Sequence, residues 1–177
     1  SLTASDTFTL TVVNTNDDPT AVTLSASAID ENASGAVVGD LTTTDVDVGD
    51  THTYTLSGAD AASFEVVNGQ LKLKDGVSAD YETKSTYAVT VTTTDGSGST
   101  YAQSFSITIS NVNEAPSLTL SSLVNIDENG TDVDTAIASD PEDATLTYSL
   151  SGTDASSFSI NSSTGVITFN SAPDYET

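Results

Sequence analysis

The side chains best suited to chemistry in this sequence are carboxylates that recur in short motifs. Asp45-Val46-Asp47 places two acids on either side of a single residue, and Asp80-Tyr81-Glu82 does the same farther along the chain. Carboxylate and amide oxygens in groups of six to eight are the ligands that Ca²⁺ prefers, whereas Mg²⁺ demands a stricter geometry. Acids gathered at strand ends repel one another unless a cation neutralises them. The motifs therefore predict a cation-binding protein.

Composition excludes several other functions. The 177 residues contain 26 Asp plus Glu against three Lys and no Arg, which gives a net charge of −23. This charge repels nucleic acid and anionic membranes, so we expect neither as a partner. The absence of Cys excludes disulfides, thiolate zinc sites and a Cys nucleophile. The single histidine, His52, argues against a multi-His metal site, and no apolar run approaches the ~18 residues of a membrane span.

The chain repeats itself at an offset of 94–97 residues, and this repeat predicts its organisation. The recurring motifs are Ile29–Asn32 at 126–129, Tyr54–Gly58 at 148–152, Asp80–Thr83 at 174–177 and Asn14–Pro19 at 111–116. Residues 1–18 are predicted to be the last strand and linker of a preceding repeat. Residues 19–113 form a complete repeat, and residues 114–177 form a partial one. Since the chain lacks a starting Met, we expect it to be part of a longer protein.

Alternation of apolar and polar residues predicts strands within each repeat. The alternating runs are Phe8–Val12, Tyr54–Leu56, Tyr87–Val91, Phe105–Ile109 and Leu146–Leu150. Asn68-Gly69 between two further runs is a strong signal for a two-residue hairpin. No segment has a convincing helical period. Short strands separated by Gly, Asp and Asn turns predict an all-β fold of tandem Greek-key β-sandwiches.

The order of the acidic motifs resembles that of the cadherin repeat. Glu-Asn, Asp-x-Asp, Asp-x-Glu, Asp-Gly and Asn-x-Asn-Asp/Glu before Pro follow one another, and most of them occur twice. The phrases Ser-Gly-Thr-Asp-Ala-Ser-Ser-Phe and Asp-Thr-Phe-Thr-Leu-Thr-Val are most similar to the cadherin-like repeats of large bacterial surface adhesins of the RTX type. The resemblance covers essentially the whole chain and implies a cadherin-like sandwich.

In cadherins, calcium ions bind at the junctions between successive repeats, and the resemblance implies the same ligand sets here. The first junction would use Asn16, Asp17, Asp18, Asp45, Asp47 and Asp95. The second would use Glu31, Asp80, Glu82, Asn113, Glu114, Asp140 and Glu142, with the backbone carbonyls of Val112 and Ala115. Glu128, Asp174 and Glu176 would belong to a third junction. Some positions depart from the family, since Asn14 and Asn111 stand where it usually has Asp.

The resemblance further implies a Ca²⁺-rigidified segment of a secreted or cell-surface adhesin. Its expected partners are calcium ions, neighbouring repeats of the same polypeptide and a cell-surface glycan or protein. The alternative is a carbohydrate- or peptide-binding module built on the same sandwich, and strand exchange through residues 1–13 is a third possibility. Paired acids also serve glycoside hydrolysis. However, the sequence has no set of cleft-lining aromatic residues, so we expect no enzyme.

Overall fold

The structure is a computed structural model that describes residues 3–176. The chain forms two compact units, Ser1–Asn111 and Val112–Thr177. Among the described residues, no helix is long and apolar enough to cross a bilayer. The helical structure there consists of two single 3₁₀ turns, Ala61–Ser63 and Ala155–Ser157, at matching places in the repeat.

The first unit is a sandwich of two four-stranded sheets. Its strands are β1 (Ala21–Leu24), β2 (Ala28–Asp30), β3 (Val37–Thr44), β4 (Thr53–Ser57), β5 (Phe64–Val67), β6 (Gln70–Leu73), β7 (Thr86–Thr94) and β8 (Thr100–Ser110). One sheet has the order β1-β3-β6-β5 and the other β2-β8-β7-β4. Neighbouring strands are antiparallel, except that β2 and β8 run parallel. The chain crosses repeatedly between the two sheets, as the sequence predicts for a Greek-key sandwich.

The core lies between these sheets because alternation along each strand sends apolar side chains to one face. Leu71, Val91 and Ile107 are fully buried there. Phe64 packs edge to face against Tyr87, with 5.7 Å between the ring centroids. Further partly buried tyrosines on this core are Tyr54 and Tyr101.

The hairpin predicted at Asn68-Gly69 is confirmed between β5 and β6. Asn68 has φ 51° and Gly69 has φ 77°. Two left-handed residues are what a type I′ turn needs, and Asn-Gly is the sequence that adopts it most readily. The turn sets the register in which Val67 faces Gln70.

The second unit has shorter strands in two small sheets. They are β9 (Ser117–Thr119), β10 (Asp132–Thr135), β11 (Ile137–Ser139), β12 (Phe158–Ile160) and β13 (Val166–Phe169). The sheets have the orders β10-β13-β12 and β11-β9. Phe158 of β12 stacks on Phe169 of β13 with 4.7 Å between ring centroids, and Ile167 of β13 is buried.

Two of the strand predictions are wrong for the described residues. Residues 3–20 contain no strand, and the Phe8 side chain is 90% exposed. Residues 144–151, which include Leu146–Leu150, also lie outside any strand. The physical reason is that alternation creates a face to bury but no hydrogen-bonding partner. The counterpart of Leu146–Leu150 in the first unit, β4, is held by β7. Residues 1 and 2, at the start of the predicted segment 1–18, lie outside the described residues.

Candidate metal sites

The first unit gathers three carboxylates at one end of its sandwich. Asp45 directly follows β3, Asp95 directly follows β7, and Asp50 lies in the loop that leads into β4. Carboxylate oxygens of the three lie within 4.8 Å of one another. The Asp45 side chain is 4% exposed and Asp95 is 7% exposed. Acids this close and this sheltered repel one another, and a bound cation would offset that repulsion. We call these residues the Asp45–Asp50–Asp95 group.

The linker that precedes β1 lies against this end of the first unit. The Asn16 side-chain amide donates to Asp95 Oδ2 at 3.0 Å, and Ser97 Oγ donates to Asn16 Oδ1 at 2.7 Å. The backbone N–H of Asp17 donates to Asp47 Oδ2 at 2.7 Å. The structure thus brings together five residues predicted for the first junction, namely Asn16, Asp17, Asp45, Asp47 and Asp95. The sixth, Asp18, is exposed and lies outside the three-carboxylate group.

Hydrogen bonds keep Asp45 and Asp95 ionised. The pKa of Asp45 is lowered chiefly by the backbone N–H of Asp47, 2.9 Å from Oδ1, and next by His52, whose Nε2 lies 3.1 Å from Oδ2. The pKa of Asp95 is lowered chiefly by the Asn16 amide, with help from backbone N–H groups in its own turn. Burial acts in the opposite direction on both groups. Both side chains are therefore anionic at neutral pH, as cation ligands must be.

A second set of acids lies at the opposite end of the first unit, beyond β2 and β8. Glu31 follows β2, is 3% exposed, and accepts from the backbone N–H of Tyr81 at 2.7 Å. Glu82 accepts from the Asn111 side chain at 2.7 Å. Carboxylate oxygens of Glu31 and Glu82 lie within 4.8 Å of each other. These two predicted ligands are thus neighbours in the fold.

Asp80 is oriented differently from Glu31 and Glu82. Its two carboxylate oxygens accept from the backbone N–H and the hydroxyl of Thr83, each at 2.9 Å. The Thr83 backbone N–H is the main reason that the pKa of Asp80 is lowered. In this structure Asp80 therefore shapes its own turn, and its role as a ligand remains a prediction.

The second unit repeats the linker arrangement of the first. The backbone N–H of Glu114 lies 3.3 Å from both carboxylate oxygens of Glu142, and the Glu142 N–H donates to Asp140 Oδ1 at 3.1 Å. The Asn113 side chain donates to the carbonyl of Glu114 at 3.0 Å. The four predicted residues of this unit are thereby brought together within it.

Glu128, Asp174 and Glu176 form another group of three carboxylates within 4.8 Å, and all three residues are exposed. The backbone N–H of Tyr175 lies 3.4 Å from Glu128 Oε2. This contact matches that of Tyr81 with Glu31 in the first unit. The repeat in the sequence is thus also a repeat in geometry.

Sequence analysis did not single out Asp50 as a ligand. Its signal was available, since Asp50 is the third acid in a loop that begins with Asp45 and Asp47. Gly49, with φ 98°, turns the chain there. His52 is half-buried just before β4, and its ring bonds to Asp45.

The chemistry of these donors fits Ca²⁺. Carboxylate and side-chain amide oxygens are hard ligands, and the groups offer them from several loops. Among residues 3–176, the ion pairs of lysine join Lys72 to Glu65 and Asp75, and Lys84 to Asp60. None of these acids belongs to the groups described above. The clusters thus keep the negative charge that a divalent cation would neutralise.

No protein-family model matches the sequence, and no curated protein does. Solved structures do match. The chain is similar to protocadherin gammaB7 EC3-6, with 27% identity, a TM-score of 0.56, and coverage of 90% of this chain and 42% of that one. For the protocadherin gammaB4 extracellular domain the identity is 28%, the TM-score 0.56, and the coverages 90% and 28%. The fold is the cadherin-type sandwich.

A third solved structure, human CDH23 EC21-23, gives a TM-score of 0.62 at 24% identity and covers 93% of this chain and 57% of that one. The chain thus spans less than two thirds of each of these three structures. They confirm the all-β sandwich predicted from the motifs. The similarity to bacterial adhesins of the RTX type, and the shared use of ligands between repeats, stay predictions.

Proposed function

We propose that this chain is a calcium-binding, non-catalytic module of an extracellular adhesion protein. The observation that carries the proposal is that linker and acidic loops of the first unit converge on one set of oxygen donors. Asn16 bonds to Asp95, and Asp17 bonds to Asp47, beside the Asp45–Asp50–Asp95 group. The same linker-to-loop contact in the second unit supports it, since Glu114 bonds to Glu142.

The residues that would hold an ion at the first group are Asn16, Asp45, Asp50 and Asp95. A bound Ca²⁺ would supply positive charge among them. The protein's part is to hold the carboxylates ionised and close together, through the hydrogen bonds of Asp47, His52 and Asn16. Since Asn16 lies in the linker, the ion would also order the entry into the sandwich and stiffen the chain at that point.

The expected energy of this effect is modest for each ion. Calcium sites of extracellular modules typically have Kd values of ~10⁻⁴–10⁻³ M. With a Kd of ~0.1 mM, ~1 mM free Ca²⁺ would stabilise the folded state by about 1.4 kcal/mol per ion. A strongly acidic chain would gain further, because each ion relieves repulsion within a charge of −23.

The order of the acidic motifs and the similar solved structures support a more specific proposal. Among the similar structures, that of protocadherin gammaB4 is of an extracellular domain. We extend that location to this chain and propose a spacer or adhesive segment of a secreted or cell-surface adhesin, similar to those of bacteria. Its partners would be calcium ions, neighbouring repeats and a cell-surface glycan or protein.

Thermal unfolding in excess EGTA, in ~1 mM CaCl₂ and in ~1 mM MgCl₂ tests the proposal. We expect Ca²⁺ alone to raise the midpoint, and Asp95→Asn to reduce that rise. Asp154→Asn is the matched control, because Asp154 is exposed and lies outside the acidic groups. An equal midpoint in EGTA and CaCl₂ for the unmodified chain would contradict calcium binding. Glycan binding without any response to Ca²⁺ would favour the carbohydrate-binding alternative.

A further inference from the structure

We propose that a partly buried trio of hydroxyl groups, Thr43, Tyr54 and Thr93, positions the Asp45–Asp50–Asp95 group for its cation. The inference rests on the calcium binding proposed above. Thr43 Oγ1 lies 2.9 Å from Thr93 Oγ1 and 3.0 Å from the Tyr54 hydroxyl. Thr93 is fully buried. We call these three residues the hydroxyl trio.

The trio joins the three strands that carry the acidic group. Thr43 is in β3, two residues before Asp45, and Thr93 is in β7, two residues before Asp95. Tyr54 is in β4, which follows the loop containing Asp50. Since β3 belongs to one sheet and β4 and β7 to the other, these hydrogen bonds cross the sandwich at its acidic end.

The hydrogen bonds of the trio fix the positions of the carboxylates through the geometry of the strands. Side chains two residues apart along a strand point to the same face and lie roughly 6.8 Å apart. A hydrogen bond between Thr43 and Thr93 therefore sets how closely the chain can bring Asp45 to Asp95. Because the two carboxylates are already held close together, the free energy of ion binding is not spent on bringing two like charges together.

Packing alone does not require hydroxyls at these positions. Valine has nearly the shape of threonine, and burying a hydroxyl is unfavourable unless it is hydrogen-bonded. Each hydroxyl group of the trio has a hydrogen-bond partner within the trio. Among residues 3–176, no buried side-chain polar atom lacks a partner. Hydrogen bonds are directional, so such a network specifies one arrangement of the three strands where apolar side chains would allow several.

The second unit supports the inference independently. Tyr148 is the counterpart of Tyr54 in the repeat, and its hydroxyl accepts from the backbone N–H of Ala138 at 3.2 Å. Ala138 lies two residues before Asp140, just as Thr43 lies two residues before Asp45. In both units a tyrosine hydroxyl thus bonds to the chain two residues before the first acid of the paired-acid loop, which is Asp45–Asp47 in the first unit and Asp140–Glu142 in the second.

A calcium titration of the ¹⁵N-labelled full chain tests the proposal site by site. The amide of Gly98 reports on the Asp95 turn, and the amide of Gly130 reports on the region beside Glu128. We expect Thr93→Val to weaken Ca²⁺ binding about tenfold at Gly98, the size of effect seen when a group supporting a metal ligand is removed. The titration midpoint at Gly130 should stay unchanged. Thr93→Ser should restore binding at Gly98, because it restores the hydroxyl.

Thr90→Val is the matched control. Thr90 is on the same strand, and its Oγ1 lies 2.9 Å from Ser104 Oγ on the exposed side of the sheet. The control loses a hydroxyl bond of the same length without touching the trio, and it should titrate as the unmodified chain does. If Thr93→Val does not fold, Tyr54→Phe, which removes a single oxygen, replaces it with the same expected direction.

The possible outcomes distinguish failure of the positioning role from failure of the proposed calcium binding. Equal midpoints at Gly98 for the unmodified chain and Thr93→Val would overturn the positioning role and leave calcium binding intact. A loss of thermal stability in EGTA with no change in the Gly98 midpoint would also overturn it, because the trio would then be purely structural. No response of the unmodified chain to Ca²⁺ at either glycine would overturn both proposals.

Discussion

In each of the two units, the linker that precedes the first strand makes the same contacts with an acidic loop. In the first, the backbone N–H of Asp17 donates to Asp47, and that of Asp47 donates to Asp45, at 2.7 and 2.9 Å. In the second, Glu114 and Glu142 make the corresponding contacts at 3.3 and 3.1 Å. The glutamates are longer by one CH₂ than the aspartates they match. The same backbone-to-carboxylate hydrogen bonds form despite this change. They therefore depend more on where the backbone amides lie than on which acid accepts them.

The two units differ in what the linker asparagine reaches. Both side chains donate to the carbonyl of the next residue, Asn16 to Asp17 at 2.9 Å and Asn113 to Glu114 at 3.0 Å, but Asn16 also donates to Asp95, 79 residues away. The linker and the paired-acid loop thus assemble locally. The complete group of acids, by contrast, requires a distant strand, β7, to bring its last member.

The largest effect that would test this comparison lies in the two cores. Phe64 is 2% exposed, whereas its counterpart Phe158 is only half-buried. Phe64→Ala should lower the free energy of unfolding of the first unit by about 3–5 kcal/mol. Phe158→Ala should cost about 1–2 kcal/mol, since less apolar area is lost from the interior. Urea unfolding in EGTA, followed by resolved amide signals of each unit, measures both losses. Equal losses would show that the two cores are equally well packed, against the structure.

We expect a smaller effect on stability from replacing the linker asparagines. Asn16→Ala removes the bonds to Asp95 and Ser97 as well as the bond to the Asp17 carbonyl, so the melting midpoint of the first unit should fall by a few degrees in EGTA. Asn113→Ala removes a bond to a neighbouring carbonyl and should leave the midpoint of the second unit nearly unchanged. Differential scanning calorimetry on the two variants gives the answer. An equal or larger fall for Asn113→Ala would mean that the bonds of Asn16 to Asp95 and Ser97 add nothing to the local contact that both asparagines make.

The smallest effect is on the titration of one carboxyl. The pKa of Asp95 lies below its ordinary value of 3.8, chiefly because of the Asn16 amide. A depressed folded-state pKa means that the stabilisation is present above the unfolded pKa and is lost as the pH falls through the folded one. Asn16→Ala should raise the pKa of Asp95 towards its ordinary value. ¹³C NMR of the side-chain carboxyl carbons measures the shift.

Asp80 is the internal control for that titration. Its pKa is lowered chiefly by Thr83, at the opposite end of the first unit from Asn16. Asn16→Ala should therefore leave the pKa of Asp80 where it is. A parallel rise at both carboxyls would indicate a general change in the charge of the unit, and the Asn16 bond would not be the cause.

Local patterns in the sequence predicted local structure well. Asn68-Gly69 predicted its hairpin, and the alternation in Tyr87–Val91 and Phe105–Ile109 predicted β7 and β8. The same alternation failed at Phe8–Val12 and Leu146–Leu150. All four runs have a face that could be buried, but only the first two have strands beside them to bond to. A pattern in one segment carries no information on whether such a partner is present.

The sequence by itself determined the all-β class, the repeat and the acidic motifs, because turn residues, alternation and charge are written locally. Only the tertiary structure decided which acids meet. It placed Asp50 beside Asp45 and Asp95, left Asp18 exposed and oriented Asp80 into its own turn. Asp45 and Asp95 are 50 residues apart in the chain. They become neighbours because β3 and β7 pack across one hydrophobic core and end at the same edge, and only the assembled core sets that distance.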